Sequence, residues 1–404
     1  MSSNHGKEAI IAGGGIGGLA AALACGRAGW TARLFERAAA FGEVGAGVQL
    51  GPNVTRLLEA WGLGAELRRR AAFPARAQTR STLGGAVLAT LPLGDDMVRR
   101  YGAPYAAIHR ADLHGLLLDA VRAAGSTELH LDTAVTAQVA LASGVVVTTG
   151  RGREVEADAL VAADGVWSAL RQQLLGDGPP RTTGHVAYRG IAAQAQLPQA
   201  LRSTQVTVWL APRLHVVAYP VRGGELLNVV AIAAGRVAGS VEHWDHAATD
   251  ADLQQALAGT SAPLRDLAAA IGRHGQWRLW ALADRPPVRG PDDMARGPVA
   301  LLGDAAHPMR PYLAQGAGMA IEDAAELERS LGLVQPDLEG VVDVPLALRR
   351  YALNRWQRVA RVQARSVRNG RIFHAGGPLR WGRDAALRLL GPRLMDQPWL
   401  YGFG

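Results

Sequence analysis

The chain has 404 residues, 49% of them apolar, and its 43 basic and 35 acidic side chains give a formal net charge of +8. This length and composition indicate a globular protein of two or three domains, and the scatter of the basic residues argues against a nucleic-acid-binding surface. The polar N-terminus is unlike a signal peptide, no apolar run reaches the about 18 residues of a membrane span, and the single cysteine excludes intrachain disulfides, so we expect a cytoplasmic protein without membrane partners.

The first elements predict a phosphate-binding turn. Glu8–Ala12 is an apolar run typical of a strand, and residues 19–28 are an alanine-rich stretch typical of a helix. Between them stands the motif Gly13-x-Gly15-x-x-Gly18. Gly13 permits a tight turn, Gly15 lets the backbone approach a pyrophosphate, and Gly18 lets the helix pack closely on the strand. We therefore expect the pyrophosphate of a dinucleotide at the N-terminus of this helix.

A second predicted strand, Thr31–Phe35, ends at Glu36. This is the spacing at which a carboxylate binds the ribose hydroxyls of the adenosine. The alternative for the whole segment is a glycine-rich turn with a structural role alone.

Further along the chain, the predicted elements change from alternating helices and strands to antiparallel strands, and then to helices and strands again. Before residue 180 the predicted elements are helices at 53–63 and 109–124, strand-like alternation over 128–149, and a buried strand at 159–163. The antiparallel region has predicted strands at 185–192, 205–210, 214–219, 226–233 and 276–282, with a helical stretch at 251–272. After it come an apolar strand at 298–302 and helices at 316–331, 345–370 and 378–390. The nucleotide-binding domain is therefore predicted to be discontinuous, with a β domain inserted.

Two aspartates follow buried strands and belong to further motifs. The first motif is Ala163-Asp164-Gly165-Val166-Trp167-Ser168 with Arg171, and the second is Gly303-Asp304-Ala305-Ala306-His307-Pro308. A nicotinamide-binding domain is complete within roughly 150 residues, so a plain NAD-dependent dehydrogenase leaves Asp304 unexplained. A cofactor that is held at both ends explains it. The alternatives are a helix N-cap for Asp304 and a strand-ending turn residue for Asp164.

The three motifs, in this order, resemble those of the single-component FAD-dependent aromatic hydroxylases, which include the p-hydroxybenzoate hydroxylases. Further segments are most similar to the salicylate, 3-hydroxybenzoate and 6-hydroxynicotinate hydroxylases: Gly45-Ala-Gly-Val-Gln-Leu-Gly-Pro-Asn53, His109-Arg110-Ala-Asp112-Leu113, Gln315-Gly-Ala-Gly-Met-Ala-Ile-Glu-Asp323 and Pro398-Trp-Leu-Tyr401. The resemblance implies an α/β fold with a Rossmann-like FAD-binding domain of the p-hydroxybenzoate hydroxylase type, an inserted antiparallel β-sheet substrate domain and C-terminal helices.

With this fold, the domain boundaries are predicted as follows. The FAD-binding domain takes residues 1–75, 106–180 and 283–340. The substrate domain takes an excursion at 76–105 and the β region at 181–282, and residues 341–404 form the C-terminal helices.

The resemblance also implies the cofactor contacts. Gly13, Gly15 and Gly18 would hold the pyrophosphate and Glu36 the ribose, while Asp164 would support the pyrophosphate and Asp304 would accept hydrogen bonds from the ribityl chain. The remaining implied contacts are Arg37 and Arg110 beside the adenine-side phosphates, the backbone near Val135 at the adenine, and the backbone of Gly316, Ala317 and Gly318 at the flavin pyrimidine. A helix N-terminus there would stabilise negative charge on the reduced flavin.

The implied reaction is aromatic hydroxylation by a non-covalent FAD, with NADH or NADPH and O2 as co-substrates and a flavin C4a-hydroperoxide as the oxygen donor. The substrate would be a small phenolic or N-heteroaromatic carboxylic acid, similar to salicylate, a hydroxybenzoate or a hydroxynicotinate. The alternative is an FAD-dependent oxidoreductase of the same fold that does not insert oxygen. Lys7, the one lysine, precedes the first strand, which disfavours the lysine-dependent flavin halogenases. The oligomeric state is left open between monomer and homodimer.

Three residues are candidates for the catalytic site. His215 and Tyr219 lie four apart on a predicted strand, and this spacing places both on one face, where they could help a ring hydroxyl to lose its proton. The alternative is a hydrogen-bonded histidine and tyrosine of the core. Tyr312 is expected on the loop over the flavin, although the salicylate and 6-hydroxynicotinate enzymes tend to have a histidine there and the 3-hydroxybenzoate enzymes a glutamine in place of Pro311. Arg310 could pair with a substrate carboxylate or face solvent, and we expect no metal site.

Overall fold

The computed structural model describes residues 7–42, 46–243, 246–248, 250–274, 277–333 and 343–403. Gly45, which begins one of the similarity motifs, and Gln276, which begins a predicted strand, lie outside these ranges. The chain divides into two compact units. The first unit comprises Met1–Glu43, Leu113–Arg181 and Ala283–Ser366, and the second comprises Val44–Asp112, Thr182–Leu282 and Val367–Gly404. The six domain segments proposed from the sequence stay a prediction.

The helices and strands follow in chain order. The strands are β1 (Glu8–Ala12), β2 (Thr31–Phe35), β3 (Gly47–Leu50), β4 (Arg76–Ser81), β5 (Val87–Pro92), β6 (Ala106–His109), β7 (Thr127–His130), β8 (Val135–Ala140), β9 (Val145–Thr149), β10 (Glu154–Ala157), β11 (Ala159–Ala162), β12 (Arg181–Ala193), β13 (Val206–Ala211), β14 (Leu214–Val221), β15 (Leu226–Ala234), β16 (His246–Ala247), β17 (Arg278–Asp284), β18 (Ala295–Arg296) and β19 (Val299–Leu301). The helices are α1 (Ile16–Arg27), α2 (Pro52–Ala60), α3 (Gly64–Arg70), α4 (Gly94–Tyr101), α5 (Arg110–Ala124), α6 (Ala169–Leu175), α7 (Asp250–Ala256), α8 (Ala262–His274), α9 (Gly316–Leu333), α10 (Val344–Phe373), α11 (Gly377–Met395) and α12 (Pro398–Tyr401).

The first unit is organised around a parallel sheet. Its described strands follow the order β18-β19-β11-β1-β2-β7, and β18 alone among them runs antiparallel to its neighbour. Nearly every residue of β1, β11 and β19 is buried, as expected for parallel strands covered on both faces. Helices α1 and α9 pack against each other, and β10-β9-β8 form a separate antiparallel sheet. The three motifs found in the sequence follow β1, β11 and β19, so they all leave the same edge of one sheet.

The second unit is organised around an antiparallel sheet. Its described strands follow the order β16-β17-β12-β15-β14-β13-β4-β5, in which β13 and β4 are parallel, and β3 and β6 form a separate pair. One face of the large sheet packs against α7 and α8 and forms an apolar core that includes Leu214, Val216 and Ala218 of β14. Because side chains alternate along a strand, the residues between these three point to the opposite face.

Several predicted elements differ from the structure in their bounds. The helix expected at 53–63 corresponds to α2, which ends at Ala60, two residues before Gly62 at a φ of +79°, and a separate helix, α3, begins at Gly64. The first helix begins at Ile16, within the glycine motif, rather than at residue 19. The strand-like alternation over 128–149 is divided among β7, β8 and β9, and β4 and β5 were not predicted from the sequence.

Candidate active site

The glycine motif forms an open cradle at the N-terminus of α1. Gly13 has a φ of +106°, a Cβ on Gly13 would overlap the carbonyl of Ala163, and a Cβ on Gly18 would overlap the carbonyl of Gly13. At Gly15, by contrast, a Cβ would meet nothing within 4 Å. Gly15 is the N-cap of α1 and supplies no side-chain cap, and the first turn contains no acidic residue. The helix N-terminus therefore has both the space and the polarity for a pyrophosphate.

Glu36 closes this cradle from the end of β2. One carboxylate oxygen accepts a hydrogen bond from the N–H of Gly14 over 2.7 Å, and the other accepts from the N–H of Ala38 over 2.8 Å. His114 lies 2.8 Å from the carbonyl oxygen of Gly14. Glu36 is half-buried and Arg37 beside it is exposed. Glu36 thus orders the backbone at Gly14 and Ala38, and the sequence also predicts that it contacts the ribose.

Asp164 is half-buried, but its carboxylate oxygen Oδ1 is buried. Its Oδ2 accepts a long hydrogen bond of 3.5 Å from the N–H of Leu170, and its Oδ1 has no hydrogen-bond partner among the described residues. Burial raises the pKa of Asp164, because it penalises the charged form. An unpartnered buried acceptor beside the glycine cradle fits a cofactor that carries hydroxyl donors.

Arg171 connects the Asp164 motif to the Asp304 motif. Ser168 caps α6 by accepting a hydrogen bond from the N–H of Arg171 over 2.9 Å. The guanidinium donates to the carbonyl of Ala305 over 3.0 Å, contacts the carbonyl of Ala306, and forms an ion pair with Asp177 at 2.8 Å. The sequence assigned no role to this side chain. Ser168, a residue type that favours helix N-caps, could have indicated the cap, but nothing in the sequence indicates the distant carbonyls.

Asp304 projects from an otherwise buried segment. Gly303, Ala305, Ala306 and His307 are buried, whereas Asp304 is exposed. The segment begins as a single 3-10 turn, Gly303–Ala305, with Gly303 at a φ of +61°. A rigid backbone that presents one exposed carboxylate is well suited to bind the hydroxyls of a ligand.

A second helix N-terminus, that of α9, follows the Asp304 motif in the chain. Helix α9 begins at Gly316, directly after Ala314 at a φ of +52° and the buried Gln315. A Cβ on Gly316 would meet nothing within 4 Å, and the first turn contains no acidic residue. The backbone of Gly316, Ala317 and Gly318 therefore forms a second potential anion site, and its contact with the flavin stays a prediction. Val135, the proposed adenine contact, is the half-buried first residue of β8.

Tyr312 and Arg310 lie in the loop before α9. Tyr312 is 3% exposed, and burial raises its pKa to about 12, so the phenol stays protonated near neutral pH. Arg310 forms an ion pair with Asp284 at 2.6 Å. From the sequence, Arg310 could either bind a substrate carboxylate or face solvent.

The second unit holds the remaining candidates. Arg110 is half-buried and begins α5, and its N–H donates to the carbonyl of Ala46 over 2.7 Å. His215 and Tyr219 both lie on the face of β14 opposite to the helix-packed core, as their spacing predicted. Their cross-strand neighbours in β15 are Ile232 and Asn228.

His215 belongs to a group of three histidines. Its Nδ1 lies 2.8 Å from Nε2 of His374, the residue after α10, and the ring centroids of His374 and His185 are 5.0 Å apart. His215 is 1% exposed, and its pKa lies well below the usual value because of burial, with repulsion from the other two histidines adding to the effect. His215 is therefore neutral near pH 7, a state that suits both a proton acceptor and the core histidine of the alternative.

Tyr219 forms the centre of a second polar group. Its ring packs so closely on the backbone of Gly47 that a Cβ there would overlap it. Gln49 is a hydrogen-bond partner of Tyr219, and the hydroxyl of Tyr105 donates to Oε1 of Gln49 over 2.7 Å. Burial raises the pKa of Tyr219, so its hydroxyl is kept as a hydrogen-bond donor.

Arg189 of β12 was not singled out from the sequence. Arg189 is aligned with Val230, which is in turn aligned with Val217, so it shares the face of His215 and Tyr219. Its guanidinium carbon lies 3.0 Å from the centroid of the Trp280 ring, a stacked arrangement that holds the side chain in place. Only the structure could reveal it, because the alignment of β12 with β14 passes through β15.

Two kinds of site are absent within the described ranges. No group of three or more His, Cys, Asp or Glu side chains there could hold a metal ion. None of the helices in those ranges is both long and apolar enough to span a bilayer.

Comparison with known proteins covers nearly the whole chain. A family model for an FAD binding domain matches residues 7–366. The chain is 37% identical over 397 residues to the 3-hydroxybenzoate 6-hydroxylase of Polaromonas naphthalenivorans, which spans 98% of this chain and 95% of that protein. It is 39% identical to the 3-amino-4-hydroxybenzoate 2-monooxygenase PtmB3 of Streptomyces platensis, over 100% of this chain and 97% of that protein. Among solved structures, Klebsiella pneumoniae HpxO with FAD and uric acid matches with a TM-score of 0.81 and 27% identity, over 95% of this chain and 93% of that one.

Proposed function

We propose that this chain, which belongs to the FAD-dependent aromatic hydroxylase family, uses NADH or NADPH and O2 to hydroxylate a small aromatic carboxylic acid. The observation that carries the proposal is a set of three features on the first unit. An open helix N-terminus at Gly15, an unpartnered carboxylate oxygen on Asp164 and the exposed Asp304 on a buried segment all follow neighbouring parallel strands. Together they provide for the pyrophosphate and the ribityl chain of FAD.

The residues of the first unit hold and orient the cofactor. Gly13, Gly15 and Gly18 accommodate the pyrophosphate, and Asp304 accepts hydrogen bonds from the ribityl hydroxyls. The N-terminus of α9 at Gly316 supplies backbone donors for the flavin pyrimidine. When bound, FAD supplies the electron transfer from the nicotinamide and the activation of O2. In our proposal Glu36, Arg37, Arg110 and the backbone near Val135 serve the adenosine half.

The second unit activates the substrate. In this proposal the neutral His215 accepts the proton of a ring hydroxyl, and the loss of that proton makes the aromatic ring more electron-rich. Tyr219 keeps its proton and donates a hydrogen bond that orients the substrate. On the first unit, the buried Tyr312 is proposed as a separate hydrogen-bond donor that keeps its proton.

The substrate class is proposed from charge and from the relatives. Two relatives are named for reactions on a hydroxybenzoate and an aminohydroxybenzoate. Arg310 is paired with Asp284, so Arg189, on the face of Tyr219, is the better candidate to bind a carboxylate. The planar guanidinium, held by Trp280, suits recognition of a flat anionic ring.

The direct test is turnover of the FAD-loaded enzyme with a panel of phenolic and N-heteroaromatic acids. NADH and NADPH oxidation would be measured together with the mass of the product. We expect one acid to stimulate oxidation and to gain one oxygen atom. Stimulated oxidation that yields peroxide alone for every acid would instead identify an oxidoreductase that does not insert oxygen.

A further inference from the structure

One carboxylate, that of Asp323 in α9, holds both ends of the segment that carries Asp304. Its Oδ2 accepts a hydrogen bond from the N–H of Gly303 over 3.0 Å and lies 2.6 Å from Nε2 of His307. Gly303 directly precedes Asp304 in the sequence, and His307 follows it by three residues. The backbone that presents Asp304 is therefore fixed on either side by a single group.

The carboxylate is itself fixed from the other side. Its Oδ1 accepts a hydrogen bond from Nε of Arg355 in α10 over 2.8 Å. The side chains of Asp323 and His307 are 0% exposed, and that of Arg355 is 1% exposed. Burial alone would raise the pKa of Asp323, but His307 and Arg355 outweigh it and hold the pKa at about 2. Asp323 thus stays ionised and keeps both oxygens as acceptors.

We propose that Asp323 is a positioning residue for FAD, which acts by fixing Gly303 and His307 so that Asp304 is aimed at the ribityl chain. This inference rests on the proposed role of Asp304. Asp323 does not touch the cofactor in this proposal. Its effect is transmitted through the backbone of five residues.

Glu322, the residue before Asp323, provides a matched control. It is equally buried and forms ion pairs with the same arginine, Arg355, at 2.9 Å, and with Arg358 at 2.6 Å. Both carboxylates therefore stabilise the packing of α9 on α10. The hydrogen bonds to Gly303 and His307 distinguish Asp323.

The experiment compares FAD dissociation constants and melting temperatures of Asp323→Asn and Glu322→Gln with those of the wild-type holoenzyme. We expect both variants to melt at a lower temperature than the wild type. The FAD dissociation constant should rise at least tenfold more in Asp323→Asn than in Glu322→Gln. Equal losses of affinity in the two variants would overturn the positioning role, because they would reflect helix packing alone.

A second pair of variants keeps the proposal testable if Asp323→Asn does not fold. His307→Gln retains a side-chain N–H that can reach Asp323, whereas His307→Ala does not. We expect His307→Gln to keep near-wild-type FAD affinity and flavin fluorescence, and His307→Ala to lose affinity about tenfold. Equal affinity in the two variants would contradict the proposal. The variant Asp304→Ala separates the two assignments. An unchanged FAD affinity in Asp304→Ala would reject the ribityl role of Asp304. A loss of FAD affinity in Asp304→Ala, with no loss in the Asp323 and His307 variants, would reject only the positioning role.

Discussion

Nη1 of Arg171 donates a hydrogen bond of 3.0 Å to the carbonyl oxygen of Ala305, a residue 134 positions away in the sequence. The contact joins the second motif of the chain to the third. Arg171 is placed for it by the cap that Ser168 provides at the start of α6. The segments that follow β11 and β19 are therefore held together, and the conformation of the Asp304 loop depends on residues of the Asp164 motif.

Replacement of Arg171 by alanine should destabilise the first unit and weaken FAD binding. The Arg171 side chain is 5% exposed, and its loss would leave the carbonyls of Ala305 and Ala306 and the carboxylate of Asp177 without this donor. Loss of one partner from a buried ion pair costs about 3 kcal/mol. Thermal unfolding and FAD titration would measure both effects. The control is Arg296→Ala, since Arg296 also donates to a backbone carbonyl, that of Leu174, but is exposed. Comparable losses in this control would argue against a specific role for Arg171.

Tyr219→Phe removes one hydroxyl from the proposed substrate face of the second unit. We expect kcat/KM for the aromatic substrate to fall roughly tenfold, which corresponds to about 1.4 kcal/mol, while FAD affinity stays unchanged. Tyr188→Phe is the matched control, because Tyr188 packs into the core on the opposite face of the same sheet. Steady-state kinetics of the two variants would distinguish them. If Tyr188→Phe reduced kcat/KM as much as Tyr219→Phe, the assignment of the substrate face would be wrong.

Arg189→Leu tests the proposed carboxylate site. The variant should raise KM for a hydroxylated aromatic acid about tenfold or more and leave turnover of the corresponding phenol without a carboxylate nearly unaffected. Kinetics with the paired substrates would measure this difference. A similar loss for both substrates would indicate a packing role through Trp280 instead.

The histidine group makes stability depend on pH. The pKa of His374 is lowered to about 4, mainly by burial and further by His185 and Arg383, and that of His215 lies well below its usual value. An unfolded histidine has a pKa of about 6.5, so between about pH 6.5 and pH 4 the unfolded chain binds more protons than the folded one. The free energy of unfolding should therefore fall as the pH falls through this window. Denaturation at several pH values should show a weaker dependence in His374→Asn than in the wild type, and identical slopes would contradict the account.

The family, the fold class and the class of enzyme could all be predicted from the sequence, and they are confirmed by the comparisons. The reason is that cofactor binding depends on short local motifs. Gly13 and Gly18 are required by contacts with Ala163 and with each other, and such requirements are visible as glycine spacing. The individual site residues, including His215, Tyr219 and Tyr312, stay predictions.

The features that could not be predicted depend on contacts between residues that are far apart in the sequence. Strand β4 is polar in sequence, and in the structure it pairs with β13 in parallel and with β5 antiparallel. The contacts of Arg171 with Ala305 and of Asp323 with Gly303 and His307 likewise arise from the tertiary fold. A lone arginine or aspartate in a helix has no local pattern that names such partners.

The account depends most on Asp304 as the anchor of the FAD ribityl chain, and the dissociation constant of FAD for Asp304→Ala tests it most directly. Because this side chain is exposed, its removal should leave the melting temperature of the cofactor-free protein within a few degrees of the wild type. FAD should dissociate at least tenfold more readily. An unchanged dissociation constant would contradict the assignment.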